Sequence, residues 1–249
     1  MARPFLSVII PSYNEAERLP LTLIDIDRQL RNENYAYEIM VVVDEASSDK
    51  THDIVRKFLP LVKNLKLIVN SGGHGKGASV KAGMLSTRGT WRLAMDADNA
   101  VSVAEFNKLL ADERFMKEAD VFLASRGVKG TVCSPHFPFR RRLAEWMLNF
   151  FAGMIFRIPI KDYFLGFHCY SGDSADAVFP LVRTGGWTAQ LEAVVLASRR
   201  GFRIKEVPVN AAFAKGSHFK GAAYLQMFIE TFRIWWWFKR GKYGILRNS

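Results

Sequence analysis

The chain has 249 residues, of which 49% are apolar and 24% charged, with a formal net charge of +11. That length allows one large α/β domain or a domain with an appendage, and the apolar share is enough for a sizeable core. No uncharged apolar run reaches the roughly 20 residues that cross a bilayer, and the excess of cations calls for an anionic partner: nucleic acid, an anionic membrane or a phosphorylated substrate. Two cysteines, Cys133 and Cys169, lie far apart and without metal-ligand spacing, which predicts a reduced, cytosolic setting.

Residues 5–10 read as a buried strand stopped by Pro11, and a strand so near the first residue predicts that no signal peptide precedes it. Leu19, Leu23, Ile26 and Leu30 set a helical period over 15–31. Residues 38–43 form a second strand ending at Asp44-Glu45, and Ser47-Ser48-Asp49 then opens a helix over 51–59. A third strand over 65–69 leads through a Gly-rich loop into a helix over 76–87. Strands over 91–95 and 120–124 flank a helix over 102–110. Such alternation predicts a mostly parallel sheet with crossover helices, and neither an internal repeat nor a low-complexity linker interrupts it.

The fourth strand ends in Asp96-Ala97-Asp98. Two carboxylates one residue apart at the carboxyl edge of a sheet lie where open α/β folds bind ligands. They suit Mg²⁺ or Mn²⁺, an ion that keeps waters and is completed by substrate phosphates. Asp44, at the end of the second strand, can accept hydrogen bonds from a base edge, and Lys76 between two glycines is a mobile cation beside backbone amides, suited to phosphate.

The pattern changes after Ser125. Arg140-Arg141-Arg142 precedes an apolar run over 143–156, and a second run over 224–238, rich in Trp and Phe, carries Glu230 and Arg233 inside it and ends in Lys239-Arg240. Aromatics flanked by cations predict a helix lying in a membrane interface rather than across it. The acids concentrate before about residue 120 and the basic clusters lie later, beside aromatics, which favours a lipid surface over nucleic acid. The chain divides accordingly into a catalytic domain over 1–220 and a C-terminal amphipathic segment over 221–249.

Several segments in order resemble one family: Val8-Ile9-Ile10-Pro11-Ser12-Tyr13-Asn14-Glu15, Val43-Asp44-Glu45-Ala46-Ser47, Gly75-Lys76-Gly77, Met95-Asp96-Ala97-Asp98, Asp162-Tyr163-Phe164-Leu165-Gly166-Phe167 and Gly216-Ser217. The chain is similar to family 2 glycosyltransferases of the GT-A fold, above all to the branch that makes dolichyl- or polyprenyl-phosphate glucose and mannose. The resemblance implies an inverting, metal-dependent hexosyltransferase acting on a nucleotide-sugar, UDP-glucose before GDP-mannose, with Asp96 and Asp98 holding the metal on the donor diphosphate. It assigns Pro11, Tyr13, Asn14, Glu15, Asp44, Lys76, Asp96 and Ala97 to the donor. It assigns Arg126, either Arg140 or Arg141, and His218 to the phosphate of a polyprenyl acceptor.

Relatives carry an acid where Gln190 stands here, which leaves Glu192 and Asp162 as the carboxylates able to act as a general base. A lipid phosphate arrives ionised and needs none, so Gln190 fits such an acceptor. Ala46 replaces a usual glycine, which predicts an altered turn, while His168 and His218 replace fixed cations and are either partners of the diphosphate or structural. The implied location is the cytosolic face of a membrane. Many relatives carry a transmembrane anchor and none is evident here, which leaves room for a homodimer or a separate membrane-anchoring partner. Two other readings are a transferase acting on a glycan or glycolipid hydroxyl, and a non-catalytic nucleotide-sugar-binding protein. The absence of a Gly-x-Gly-x-x-Gly after the first strand argues against a dinucleotide-binding oxidoreductase.

Overall fold

A computed structural model describes residues 3–111, 113–134, 139–212 and 221–244. The elements run β1 (Leu6–Ser12), α1 (Leu19–Leu30), β2 (Tyr37–Asp44), α2 (Thr51–Phe58), β3 (Leu65–Asn70), α3 (Lys76–Ser86), β4 (Trp91–Met95), α4 (Ala104–Ala111), α5 (Glu113–Glu118) and β5 (Val121–Ala124). They continue through β6 (Val132–Cys133), α6 (Phe139–Phe156), β7 (Phe167–Ser171), α7 (Gly172–Val178), a 3₁₀ turn (Phe179–Leu181), α8 (Ala189–Arg199), β8 (Ile204–Val207), β9 (Asn210–Ala211) and α9 (Gly221–Lys239).

Seven strands form one sheet in the order β3-β2-β1-β4-β7-β5-β8, and β6 pairs with β9 in a small second sheet. The chain builds outward from β1 through β2 to β3 and then returns to the other side of β1 as β4, so the strand order reverses between β1 and β4. A crevice opens at the carboxyl ends of strands where the order reverses. Ser12, the last residue of β1, and Asp96, just past the end of β4, both line it.

β1, β2 and β4 are buried along their whole length because helices cover both faces. One face carries α1, with Leu19, Leu23, Ile26 and Leu30 fully buried. The other carries α3, α7 and α8.

Three sequence expectations are corrected. β1 runs on through Pro11 to Ser12, because pairing with β4 has ended at Ile9 and Ala94 and only β2 still flanks it. A residue without an N–H is tolerated where one edge of the strand is open. α1 starts at Leu19, with Pro20 in its first turn, which leaves 15–18 as a loop facing the crevice. The sheet is mostly parallel as expected, β7 alone running antiparallel to its two neighbours. The altered turn anticipated at Ala46 needs no glycine: Ala46 is not among the positive-φ residues, and its amide donates to Asp44 Oδ1 at 2.9 Å.

α6 and α9 pack on each other, with the rings of Phe151 and Phe228 5.3 Å apart. α9 also enters the core beneath α8, where Ile234 is fully buried.

α3 lies so close to the sheet that a Cβ on Gly83 would fall 2.4 Å from Ile9 Cγ2 and 3.0 Å from Val42 Cγ2. Gly83→Val is expected to cost about 1–3 kcal/mol by overpacking, read as a lower urea midpoint with an unchanged slope. Unchanged stability would contradict the close packing that fixes α3, and with it Lys76.

Candidate active site

The loop after β1 and the start of α2 are stapled together. Asn14 has φ 53°, a conformation Asn tolerates, and its Oδ1 accepts from the amides of Ser48 at 2.9 Å and Asp49 at 3.3 Å. Asp49 Oδ2 in turn accepts from the Ala16 amide at 3.0 Å, and Thr51 Oγ1 from the Glu15 amide at 2.8 Å. Asn14 therefore shapes the loop and does not itself line the cleft below. Asp44 is likewise set back. Burial disfavours its charge, but the Gly75 amide at 2.7 Å, the Ala46 amide and His74 outweigh that and hold its pKa below the ordinary carboxylate value. Asp44 thus anchors the start of the loop that carries Lys76.

Beyond these anchors lies a cleft of about 700 Å³. Its lining includes Pro11, Ser12, Tyr13, Glu15 and Arg18 from the first loop, Gly75 and Lys76 from the second, and Asp96, Ala97 and Asp98 from the end of β4. Arg126, Arg141, Glu145, Gly186, Trp187, Gln190, Tyr224 and Glu230 line it too. Of the residues expected at the donor, all but Asn14 and Asp44 face this space, and of those expected at the acceptor, Arg126 and Arg141 do.

Lys76 Nζ lies 2.5 Å from Asp96 Oδ1 and 5.3 Å from the centre of the Trp187 ring. The loop is seated by glycines: a Cβ on Gly75 would meet the Gly185 carbonyl at 2.7 Å, and one on Gly77 the Gly186 carbonyl at 2.6 Å. Gly166 is equally constrained, since its Cβ would lie 1.9 Å from Asp96 Oδ2. Asp98 sits 3.7 Å from Arg18, and burial, followed by the like charge of Asp96, raises its pKa. Burial also pushes Glu15 up to about 7 against the pull of its Arg18 partner, with Asp98 and Asp96 acting in the same upward direction.

Among the described residues no three His, Cys, Asp or Glu side chains converge on an ion position. Two crowded carboxylates, one of them raised by the other, nevertheless fit a partly hydrated divalent ion whose remaining ligands come from a phosphate.

Arg126 joins the cleft to a smaller hollow lined by Cys133, Arg142, Trp146, Lys161 and Asp162. Its guanidinium holds Asp162 through Nε at 2.6 Å and Nη2 at 2.9 Å, and Nη1 meets Glu145. Glu145 also accepts from Arg141 Nε at 2.9 Å. Asp162 is fully buried. Burial alone would raise its pKa, but Arg126 outweighs burial and depresses it.

Glu192, expected as a catalytic carboxylate, does not line the cleft. It is fully buried and accepts from the Arg183 amide at 3.0 Å, the Thr184 amide at 2.8 Å, the Thr184 hydroxyl and Tyr243 Oη at 2.6 Å. Its role is to tie α8 to the segment after α9. Asp162 is committed to Arg126 and faces the smaller hollow. His168 is fully buried on β7, and burial, then Lys76, pushes its pKa down to about 3, which makes it a neutral core residue. Arg140 lies in α6 with its side chain outside the described residues, as are Gly216, Ser217 and His218.

Sequence reasoning missed Arg18, Glu145, the Gly185-Gly186 pair and Glu230. One of these carried a signal, since Glu145 lies four residues after Arg141 on the same helix.

The family model "Glycosyl transferase family 2" matches residues 7–174. The chain is 29% identical to a dolichyl-phosphate beta-glucosyltransferase of Trichomonas vaginalis, over 92% of this chain and 72% of that one. It is 26% identical to the dolichyl-phosphate beta-glucosyltransferase of Homo sapiens, over 95% of this chain and 72% of the other. Among solved structures, glucosyl-3-phosphoglycerate synthase of Mycobacterium tuberculosis with uridine diphosphate superposes with a TM-score of 0.65 at 14% identity, covering 98% of this chain and 82% of that one. A mannosyltransferase of Pyrobaculum calidifontis with GDP-Man and Mn²⁺ gives 0.56 at 19% identity, covering 94% and 65%. These superpositions establish the GT-A fold.

Arg126→Ala would leave Asp162 buried without its cation, at an expected cost of about 3–5 kcal/mol. In the wild type the depressed pKa of Asp162 stabilises the fold above the unfolded-state value near 3.8, and this contribution fades as pH falls through the folded value. In the variant the backbone amides of residues 126 and 164 still donate to Asp162 but the opposing cation is gone, so its pKa lies higher than in the wild type and the stability gap should narrow as pH falls. Urea denaturation across pH checks this, and a gap independent of pH would refute it.

Proposed function

The chain belongs to glycosyl transferase family 2, and from that premise we propose that it transfers glucose from UDP-glucose, in preference to mannose from GDP-mannose, to a dolichyl-type polyprenyl phosphate at a membrane surface. The observation that carries the reading is that one cleft joins a pair of crowded carboxylates and Lys76 at one wall to Arg126 and Arg141 at another, under two helices with exposed apolar faces. The relatives in Trichomonas vaginalis and Homo sapiens, both dolichyl-phosphate beta-glucosyltransferases, support the same sugar and acceptor class.

At the donor wall, Pro11, Ser12 and Tyr13 offer an edge for the nucleoside, and Lys76 exchanges its contact with Asp96 for the diphosphate. Asp96 and Asp98 would hold Mg²⁺ or Mn²⁺, which when bound supplies charge neutralisation to the departing nucleoside diphosphate. At the acceptor wall, Arg141 and Arg126 attract and orient a phosphate by charge, Arg126 itself being held in place by Asp162 and Glu145. An oxygen of that phosphate attacks the anomeric carbon, and the bond to the donor phosphate breaks with its electron pair leaving on the nucleotide, in a single inverting displacement. Neither Glu192 nor Asp162 faces the cleft as a base. The glutamates that do line the cleft are each held by donors, Glu15 by Arg18, Glu145 by Arg126 and Arg141, and Glu230 by Thr188 and Gln226, which suits an acceptor already ionised.

The apolar faces support the membrane. On α6, Leu143, Trp146, Met147, Phe150 and Met154 are exposed along one stripe, and on α9 so are Leu225, Ile229, Phe232 and Trp236. Trp146 is 62% exposed and Ile229 60%. Cations sit over the rings near the end of α9, Arg240 4.6 Å from the Trp236 centre and Arg233 5.2 Å from that of Trp237. Among the described residues no helix is long and apolar enough to cross a membrane. Aromatic stripes bordered by cations suit a surface seat, at the cytosolic leaflet where anionic lipids concentrate.

A radiolabel assay of UDP- and GDP-hexoses with polyprenyl phosphate in vesicles tests the whole reading, and no lipid-linked product from any donor would reject it. Asp98→Asn should lower transfer by about a hundredfold or more, and near-normal turnover would remove the metal assignment. Phe150→Asp combined with Ile229→Asp should lower binding to vesicles containing anionic lipid by about tenfold or more without loss of folding. Unchanged cosedimentation would move the membrane contact elsewhere.

A further inference from the structure

Glu230 is an acid inside an aromatic helix, yet its side chain is 9% exposed and lines the cleft. Oε2 accepts from the Thr188 hydroxyl at 2.6 Å and Oε1 from Gln226 Nε2 at 2.9 Å, with Arg233 Nη2 at 3.8 Å from Oε1. The Gly186 backbone lies against the carboxylate, so that a Cβ there would fall 2.9 Å from both oxygens. Gly186 in turn packs on Gly77, and Trp187 sits beside Lys76. Glu230 is therefore one layer of backbone away from the loop that receives the diphosphate.

An ionised carboxylate accepts hydrogen bonds and donates none, and with one donor on each oxygen it retains capacity for more. A diphosphate offers no donor and is repelled by it. A sugar offers several hydroxyl donors. The geometry points to Glu230 as a specificity-determining residue that accepts hydrogen bonds from the hexose of the donor, in a corner completed by Gln190 and the ring of Trp187. This inference rests on the nucleotide-sugar reading above: with the diphosphate at Lys76, Asp96 and Asp98, the sugar attached to it extends toward Trp187, Gln190 and Glu230, which line the same space. The alternative is that Glu230 only fastens α9 to α8 through Thr188.

Calorimetric titration of the full chain with Mn²⁺, using UDP and UDP-glucose and in parallel GDP and GDP-mannose, separates the two. Glu230→Gln should weaken the nucleotide-sugar by about tenfold or more and leave the corresponding nucleoside diphosphate within about twofold. Gly186→Ala, which keeps the charge but thrusts a methyl against the carboxylate, should reproduce the selective loss and serves if Glu230→Gln does not fold. Equal weakening of sugar and sugar-free ligands, or unchanged affinity for the nucleotide-sugar, overturns the inference in favour of a structural role. A fall in turnover with unchanged nucleotide-sugar affinity overturns it as well. If wild type binds none of the four ligands, the nucleotide-sugar reading itself fails, an outcome distinct from failure of the Glu230 assignment.

Discussion

Two pairs of glycines meet backbone to backbone beside the cleft, and the site depends on that contact. Gly75 and Gly77 flank Lys76 and lie so close to the Gly185 and Gly186 carbonyls that neither could carry a Cβ, and a Cβ on Gly185 would meet the His74 carbonyl at 2.7 Å. The Ala78 amide donates to the Gly185 carbonyl at 3.1 Å, which fixes the register. Only residues without a side chain allow two loops to approach this closely. The seam sets where Lys76 points, brings Trp187 to its side, and connects the donor wall to α8 and thence to α9. Replacing Gly75, Gly77 or Gly185 would separate groups from three distant parts of the chain.

Around this seam the carboxylates divide by what surrounds them. Asp44, Asp162 and Glu192 are saturated by backbone amides, hydroxyls or an arginine, and their work is to hold loops in place. Asp96, Asp98 and Glu15 are crowded together with Lys76 and Arg18 as their cationic partners, and burial raises the latter two acids. Like charges kept close in a partly buried cleft are unfavourable until a cation or a proton relieves them. A protein that needed these residues only for stability would be better served by apolar ones. Environment, rather than residue type or position after a strand, separates structural acids from those poised for a ligand.

The sequence revealed the half of the molecule in which local pattern and tertiary role coincide. Uniformly apolar runs ending in Asp marked β2 and β4, and the period of Leu19, Leu23, Ile26 and Leu30 marked the buried face of α1. It concealed the elements that lack such a pattern. α8 is buried from Ala189 through Ala197 on every side, so no period distinguishes it, and β7 offers five residues with no turn signature to announce an antiparallel insertion. At the site, Asp96, Asp98 and Lys76 were legible because their meaning follows from where strands and loops end. Glu192 was misleading for the same reason that Glu230 was overlooked. Each acid lies in a helix, and only packing decides which of them faces the cleft.

α9 carries that distinction on two sides of one helix. Its outer stripe of Leu225, Ile229, Phe232 and Trp236 faces outward, while Met227, Ile234 and Glu230 turn inward. A buried carboxylate at the centre of an aromatic helix costs free energy unless its neighbours compensate it. Here two neutral donors and a distant arginine do so, one of those donors being Thr188 at the head of α8. Beyond the helix, Tyr243 bonds Glu192 and Arg183 donates to the Lys242 carbonyl at 2.8 Å, which secures the far end to the segment leading into Gly185. α9 is thus fastened at both ends to the strand of chain that forms one side of the glycine seam. On the function proposed above, α9 would seat on a membrane with one face and border the donor corner with the other, giving the lipid surface and the nucleotide-sugar a common frame. Transfer between a soluble donor and a lipid-borne acceptor requires that frame, because the two reactants arrive from different phases and must meet within hydrogen-bonding distance.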